Sequence, residues 1–256
     1  MKLGLVTYNM AKDWDIPTII NNCTETGFEG VELRTTHAHK VEVSLSQIER
    51  SEVAKMFADS AVELAGLGSA FDYHSSDIDV VRQNIEGTKE YTKLAADVGA
   101  PGVKVRPNGF PDGISEDATI EQIGLSLREC GEFASAYGVE IRLEVHGRGT
   151  SELRHISKMM EIADHDNVLV CWNSNFGEVE NDSIKNPFSL VQHKIGLVHI
   201  TELHRTEYPW RELFSELKGI GYKGFTLAEI SGSDNDTDAV RIMNFYRALW
   251  NELNRP

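Results

Sequence analysis

The stretch RLEVHGRGT, residues 142–150, alternates polar with apolar side chains. Leu143 and Val145 favour a dry environment, whereas Arg142, Glu144 and His146 are polar. Because side chains along a β-strand repeat every two residues, the three polar side chains share one face. A half-exposed antiparallel strand would show this pattern without any function. The alternative is a strand that directs a carboxylate and an imidazole into a site.

Short runs of this kind alternate with longer amphipathic stretches along the whole chain. The candidate strands cover residues 3–8, 30–34, 64–70, 102–107, 140–146, 168–175, 196–203 and 224–231. The clearest helical patterns cover 77–98 and 119–137, where apolar residues recur at three- and four-residue steps. Several helical patterns end at a glycine that suits a left-handed C-terminal cap, namely Gly27, Gly99, Gly138 and Gly221.

Alternation of strands and helices implies parallel strands joined by crossover helices. Eight such units in 256 residues favour a closed (β/α)8 TIM barrel over an open doubly wound sheet. No linker or shift in composition divides the chain, so we predict an α/β fold with a single domain over 1–256. In a barrel the outward face of each strand lies under helices, so Arg142, Glu144 and His146 are expected to point inward.

The bulk composition excludes some classes of function. The chain carries 40 acidic and 25 basic residues and a net charge of −15, which opposes binding to nucleic acid. No apolar tract is long enough to span a membrane. Three widely spaced cysteines and an N-terminus without the apolar core of a secretory signal predict a cytoplasmic protein. Whether the chain forms a homo-oligomer stays open.

Four polar residues lie near the ends of the last four predicted strands: Glu144, Asn173, His199 and Glu229. Their separations of 29, 26 and 30 residues each match about one strand–helix unit, so the side chains should converge. Burying such groups costs several kcal/mol unless they are paired or coordinated. Two carboxylates, an amide oxygen and an imidazole suit Mn²⁺ or Mg²⁺ and would also accept Co²⁺ or Zn²⁺.

The segments around these residues resemble a known family. The xylose isomerase-like barrel superfamily of sugar and sugar-phosphate isomerases and epimerases has similar segments in the same order. They are RLEVHG (142–147), VCWNSN (170–175), LVHITEL (197–203) and TLAEIS (226–231), with GFEGVELR (27–34) earlier in the chain. The resemblance extends over essentially the whole chain and implies one metal ion held by strands five to eight.

The resemblance also assigns the ligands. Glu144, His199 and Glu229 match the family's ligand positions, whereas Asn173 stands where the family usually has Asp. The ligand set then supplies two negative charges where the family pattern has three. This predicts weaker metal affinity and a more Lewis-acidic ion, or a site that has lost its metal.

The roles of further side chains follow from the resemblance and from their places at strand ends. Glu144 and Glu229 are expected to act as the acid and base, with His146 as an alternative base or a hydroxyl contact. The expected substrate contacts are Glu32, Arg34, His37, Lys104, Arg106, Trp172, Asn175 and Arg205. The stretch SGSDND (231–236) could cradle a phosphate, although its acidic residues oppose this.

Structural interpretations stand beside these roles. Glu144 could pair with Arg142 or Lys104, Asn173 could be a hydrogen-bonding neighbour of the site, and Trp172 could be a packing residue. Arg205 could contact a partner subunit that closes the barrel.

The leading functional hypothesis is a metal-dependent isomerase or epimerase of a sugar or keto-sugar, phosphorylated or not. A metal-dependent lyase or dehydratase acting on keto-sugars or inositol derivatives would use the same enolate, with His146 as the acid. A non-catalytic sugar-binding barrel is the third hypothesis, because Asn173 departs from the family pattern. A metal-dependent endonuclease of the same superfamily is disfavoured by the net charge of −15.

Overall fold

The eight strand segments form one closed parallel barrel, in which each strand pairs with the next along the chain and the last pairs with the first. The predicted (β/α)8 fold is therefore confirmed. This computed structural model describes residues 1–232 and 236–255, so residues 233–235 of the predicted phosphate cradle lie outside the described part. The strands are β1 (Lys2–Val6), β2 (Gly30–Arg34), β3 (Glu63–Asp72), β4 (Gly102–Arg106), β5 (Glu140–Glu144), β6 (Val168–Asn173), β7 (Ile195–Ile200) and β8 (Phe225–Ala228).

The crossover helices lie on the outside of the barrel. They are α1 (Ile16–Thr26), α2 (Gln47–Ala58), α3 (Ile78–Val98), α4 (Glu116–Ser135), α5 (Leu153–Ala163), α6 (Lys185–Val191), α7 (Trp210–Gly219) and α8 (Asp236–Leu253). Helix α3 begins where the Asp77 side chain accepts a hydrogen bond from the Asp79 N–H at 2.9 Å, and it ends at Gly99 with φ +83°. The other predicted cap glycines, Gly27, Gly138 and Gly221, also have positive φ.

Apolar packing occurs in two layers. Leu143 and Val145 point outward from the end of β5 into the large cluster between the strands and the helices, as the strand pattern predicts. Each fully buried side chain of this size contributes roughly 1.5–3 kcal/mol. A smaller apolar cluster fills the inside of the barrel and consists of Val6, Ala65, Cys171, Leu197 and Leu227. The polar side chains described below lie at the end of the barrel where the strands terminate, which we call the mouth.

Six strands end earlier than the sequence pattern predicts, and in three of them the earlier end leaves a predicted site residue outside the strand. β5 ends at Glu144, so His146 lies in the following loop, where Gly147 has φ +92° and takes the chain out of the sheet. β6 ends at Asn173, which places Asn175 in a loop. β8 ends at Ala228, but the next residue stays in register because the Glu229 N–H donates to the Ile200 carbonyl at 2.9 Å.

Two predictions from composition concern the whole chain. Among residues 1–232 and 236–255, no helix combines the length and apolar content that crossing a membrane requires. Cys23, Cys130 and Cys171 are free thiols, and all three are buried.

Candidate active site

The structure places the four polar side chains of the last four strands together at the mouth. Glu144 and Asn173 are the final residues of β5 and β6, and Asn173 lies opposite His199 in the register of β6 and β7. The Asn173 Nδ2 donates to Glu144 Oε1 at 3.1 Å. His199 Nδ1 lies 3.5 Å from Glu144 Oε1 and 3.7 Å from Glu229 Oε2. The near-regular spacing along the chain thus becomes one cluster in space.

The cluster fits a divalent metal ion. Glu144, His199 and Glu229 each offer one ligand atom, and these atoms lie within 4.8 Å of one another. Asn173 Oδ1 and both ring nitrogens of His199 are buried without a hydrogen-bond partner among the described residues. Buried polar atoms are nearly always paired, so Asn173 Oδ1 and the one unprotonated ring nitrogen of His199 are available to an ion. Carboxylate and amide oxygens with one imidazole are the donors that hard divalent cations accept.

Lys104 forms a buried ion pair with Glu144. Its Nζ lies 2.7 Å from Glu144 Oε2, and the two side chains are only 5% and 3% exposed. Burial alone would raise the pKa of Glu144, but the Lys104 ammonium and His199 hold this pKa well below its ordinary range. Glu144 is therefore ionised inside the barrel. Of Arg142 and Lys104, the two structural partners considered for Glu144, the structure shows Lys104 in this role. Lys104 was also predicted to contact the substrate, but its ammonium is paired here with a protein carboxylate.

Glu32 lies under His199 and not at the surface of the mouth. Its side chain is 1% exposed, and its Oε1 lies 3.3 Å from His199 Nε2. This places the carboxylate on one ring nitrogen of His199, while the other faces Glu144 and Glu229. Glu32 lies two residues before the end of β2, and its predicted substrate contact stays a prediction.

His146 and Asn175 lie in the loops that follow β5 and β6. His146 is half-buried, and its Nδ1 has no partner among the described residues. Burial lowers the pKa of His146, while the charge of Glu144 opposes this. The Asn175 Nδ2 donates to the Val145 carbonyl at 2.8 Å, so this amide ties the two loops together.

Trp172 is not brought to the mouth. Neighbouring residues of a strand point to opposite faces, so the inward position of Asn173 directs Trp172 outward. Its side chain is fully buried against Phe188, with ring centroids 5.4 Å apart, and its Nε1 donates to the Tyr208 hydroxyl at 3.1 Å. The packing interpretation of this residue matches the structure, and the predicted sugar contact does not.

The remaining predicted contacts lie around the mouth. Arg34 and Arg106 are the last residues of β2 and β4, and both are half-buried. His37 is half-buried in the loop after β2, with its Nδ1 3.0 Å from the Thr7 Oγ1. Arg205 is exposed, and its guanidinium lies 4.3 Å from the centroid of the Phe176 ring.

Two features that position these side chains were not predicted from the sequence. Thr7 accepts a hydrogen bond from the Arg34 N–H at 2.9 Å while its hydroxyl contacts His37, and no local pattern links these distant positions. Gly66 and Gly68 of β3 make room for neighbouring side chains, because a Cβ on Gly66 would lie 3.2 Å from Arg142 Nη1 and a Cβ on Gly68 would lie 2.8 Å from Glu32 Oε1. The glycines of LAGLGSA (64–70) were the available signal, since glycine inside a strand often marks a close approach.

The sequence and the fold of this chain were compared with those of known proteins. The sequence profile of the family described as xylose isomerase-like TIM barrel matches residues 20–249. D-psicose 3-epimerase from Ruminiclostridium cellulolyticum is 30% identical over 132 residues, which make up 48% of this chain and 45% of that protein. The match therefore spans less than half the length of this curated relative.

Solved structures share the fold. The crystal structure of D-psicose 3-epimerase with D-tagatose, from Clostridium cellulolyticum H10, has a TM-score of 0.82 and 19% identity, with 100% of both chains covered. L-ribulose 3-epimerase has a TM-score of 0.80 and 18% identity, covering 99% of this chain and 94% of the other. At such identities the likeness concerns the fold alone. The profile match over residues 20–249 identifies the chain as a member of the xylose isomerase-like TIM barrel family.

Proposed function

We propose that this chain is a metal-dependent epimerase or isomerase of a sugar or keto-sugar, with Mn²⁺ as the preferred ion. The observation that carries the proposal is the convergence of Glu144, His199 and Glu229 around one point, with the free Oδ1 of Asn173 beside them. The names of the relatives support it, because D-psicose 3-epimerase and L-ribulose 3-epimerase both act on ketoses.

Epimerisation requires removal of a proton from a carbon next to a carbonyl. A divalent ion held by Glu144, Asn173, His199 and Glu229 would supply positive charge beside that carbonyl and stabilise the enolate. The protein must then remove the proton on one side of the carbon and return it on the other. Two positioned carboxylates can perform these transfers, each contributing about 10²–10⁴-fold.

Glu144 and Glu229 are the carboxylates we assign to this pair. They approach His199 Nδ1 from β5 and from the end of β8, at 3.5 and 3.7 Å. The Glu229 side chain is 20% exposed and is open to the mouth, whereas the Glu144 side chain is 3% exposed. Lys104 holds Glu144 Oε2 and fixes the orientation of this carboxylate. His146, half-buried beside them, is the alternative proton carrier or a contact for a substrate hydroxyl.

The test combines metal content with exchange of a carbon-bound proton. Protein purified without chelator or His-tag is analysed for metals and then incubated with D-psicose, D-tagatose or L-ribulose in D₂O. We expect near-stoichiometric divalent metal after Mn²⁺ addition, and a sugar isomer that carries deuterium on carbon. Glu144→Gln and Glu229→Gln should each lower this exchange at least about 10²-fold. Glu63→Gln, at the opposite end of the barrel, is the matched control and should leave it unchanged.

The same experiment separates the alternative functions. A product lighter by one water would replace the epimerase assignment with a lyase on the same enolate. Sugar binding without metal uptake or deuterium exchange would overturn catalysis and leave a sugar-binding barrel.

A further inference from the structure

Arginine side chains without a carboxylate partner gather at the mouth. Among the described residues, the arginines that form no ion pair fall into two groups. Arg128 and Arg247 donate to backbone carbonyls at helix ends. The others lie at or after the ends of strands and are Arg34, Arg106, Arg148 and Arg205. In a chain with a net charge of −15, four arginines without an ion pair thus lie at the same end of the barrel.

The Arg106 guanidinium has N–H groups that make no hydrogen bond within the described residues. Its NH2 group donates to the Ala70 carbonyl at 3.1 Å, and its Nε is buried without a partner among the described residues. Asp72 lies opposite Arg106 in the register of β3 and β4, but the Asp72 carboxylate is held by other groups. Asn108 Nδ2 donates to its Oδ2 at 2.5 Å, and His74 Nδ1 lies 3.1 Å from its Oδ1.

Arg34, the last residue of β2, also lacks a carboxylate partner. Its guanidinium makes no hydrogen bond or ion pair with the described residues, although the side chain is half-buried. Glu42, in the loop after β2, is occupied by other donors. Thr35 Oγ1 donates to Glu42 Oε1 at 3.0 Å, the Thr36 N–H donates to the same oxygen at 2.5 Å, and the Tyr91 hydroxyl donates to Oε2.

One strand separates the two strands that carry Arg34 and Arg106. β3 lies between β2 and β4, and its Gly68 is in register with both Arg34 and Lys104. A Cβ on Gly68 would lie 3.3 Å from the Arg34 Cδ, so a side chain there would fill the wall beside the guanidinium. The glycine therefore leaves room beside β3 for the Glu32 carboxylate and the Arg34 side chain.

The mouth is thus divided into two halves of different chemistry. The candidate metal ligands belong to β5–β8, whereas Arg34 and Arg106 end β2 and β4. A sugar whose reacting carbon lies at Glu144 and Glu229 would extend its far end towards the arginines. Guanidinium groups match carboxylate and phosphate oxygens in geometry and charge, and a neutral hydroxyl gains less from them.

We propose that Arg34 and Arg106 bind an anionic group at the far end of the substrate, so that the preferred substrate is a sugar phosphate or a sugar acid. This inference rests on the proposed function, in which the same mouth binds a sugar. It adds the substrate class, since an uncharged ketose leaves both guanidinium groups without a partner.

The test uses three ligands with one carbon skeleton: D-fructose, D-fructose 6-phosphate and D-fructuronate. Calorimetric titration of the Mn²⁺-treated protein should give at least about tenfold tighter binding of one anionic ligand than of D-fructose, which is about 1.4 kcal/mol. The anion that binds more tightly identifies phosphate or carboxylate as the natural group. The double variant R34Q/R106Q should lose the preference, so that its affinity for both anions falls to about that for D-fructose. Arg34→Lys, which keeps the charge, should retain part of the preference.

A matched control removes the same charge elsewhere. R82Q/R154Q replaces two exposed arginines outside the mouth and should keep the preference. Equal affinity for all three ligands, absence of binding by either anion, or a preference that survives R34Q/R106Q would overturn the inference. Failure of the proposed function looks different. A preference for an anion without proton exchange would refute the epimerase alone, whereas exchange on neutral ketoses without a preference would refute the anion site alone.

Discussion

His199 can bind a metal ion only through a ring nitrogen that carries no proton, and Glu32 determines which nitrogen that is. Its carboxylate lies 3.3 Å from Nε2, which favours the tautomer with the proton on this nitrogen. Nδ1 then presents its lone pair towards Glu144 and Glu229. A carboxylate behind a ligating histidine fixes the orientation of the ring and raises its basicity. Glu32 is thus placed to orient the His199 ring.

Replacing Glu32 tests this role. We expect Glu32→Gln to weaken Mn²⁺ binding by about 10–100-fold, because the amide no longer fixes the tautomer by charge. The measurement is the Kd for Mn²⁺ from calorimetric titration of the chelator-treated protein. Glu29→Gln changes an exposed carboxylate near the start of the same strand and should leave the Kd unchanged. An unaltered Kd in Glu32→Gln, with the fold intact, would show that His199 is oriented by other contacts.

Among the secondary-structure elements, the loops that follow β6 and β7 are joined by hydrogen bonds. Glu178 follows β6 and is buried, and it accepts a hydrogen bond from the Tyr208 hydroxyl at 2.9 Å. The same hydroxyl accepts a hydrogen bond from Trp172 Nε1. Arg205, in the loop that carries Tyr208, lies over Phe176. Burial raises the pKa of Glu178 to about 8, so this carboxyl is largely protonated in the folded protein at neutral pH.

This elevated pKa links stability to pH. The pKa of Glu178 is about 8 in the folded state against a reference of 4.5, so the native state binds the extra proton between these values. The contribution is fully present below pH 4.5 and is lost as pH rises through 8. We expect Glu178→Gln to remove this dependence and to exceed wild type in stability at pH 8 by up to about 4 kcal/mol.

Urea unfolding at several pH values between 5 and 8 gives the free energy of unfolding that this prediction concerns. Glu180→Gln is the control, because Glu180 is an exposed carboxylate in the same loop. Parallel pH curves for wild type and Glu178→Gln would mean that Glu178 is ionised in the native protein.

At the scale of the whole molecule, the candidate site joins strands that are far apart in the chain. Its four proposed ligands come from four consecutive strands or their ends, and β8 closes the barrel by pairing with β1. An ion bound there would stabilise the native state alone, because the unfolded chain does not hold the four side chains together. The metal site is therefore coupled to the stability of the entire barrel.

We expect Mn²⁺ at a hundred times its Kd to stabilise the protein by about 2.7 kcal/mol, which corresponds to a rise in Tm of roughly 5–10 °C.

Asn173→Asp should lower the Tm without metal, because it replaces the donor to Glu144 Oε1 with a second carboxylate. With Mn²⁺ the same variant should gain more than wild type, since the ion then has a third negative ligand. Calorimetric scans with Mn²⁺ or chelator measure both effects, and Glu229→Gln should lose the gain. A Tm of wild type that does not respond to Mn²⁺ would argue against the site.

The fold and the main cluster of polar side chains could be predicted from the sequence. Strand periodicity and the helix patterns between strands identified the barrel, because each repeats on the length scale of one unit. The separations of these four residues along the chain were enough to predict that their side chains converge, because each lies at or next to the end of a parallel strand. The residues are Glu144, Asn173, His199 and Glu229. The ends of the strands were predicted less precisely. A loop residue such as His146 can continue the alternation of polar and apolar residues after the hydrogen bonds between the strands have stopped.

The pairing of polar side chains inside the barrel could not be predicted and depends on the three-dimensional fold. Lys104 pairs with Glu144, and Glu32 lies beneath His199, although both were expected to face the substrate. Arg34 and Arg106 remain without carboxylates because Glu42 and Asp72 are held by other donors. These choices depend on the stagger of neighbouring strands and on the depth of each residue below the mouth. Both are properties of the closed barrel, and no local pattern in the chain encodes them.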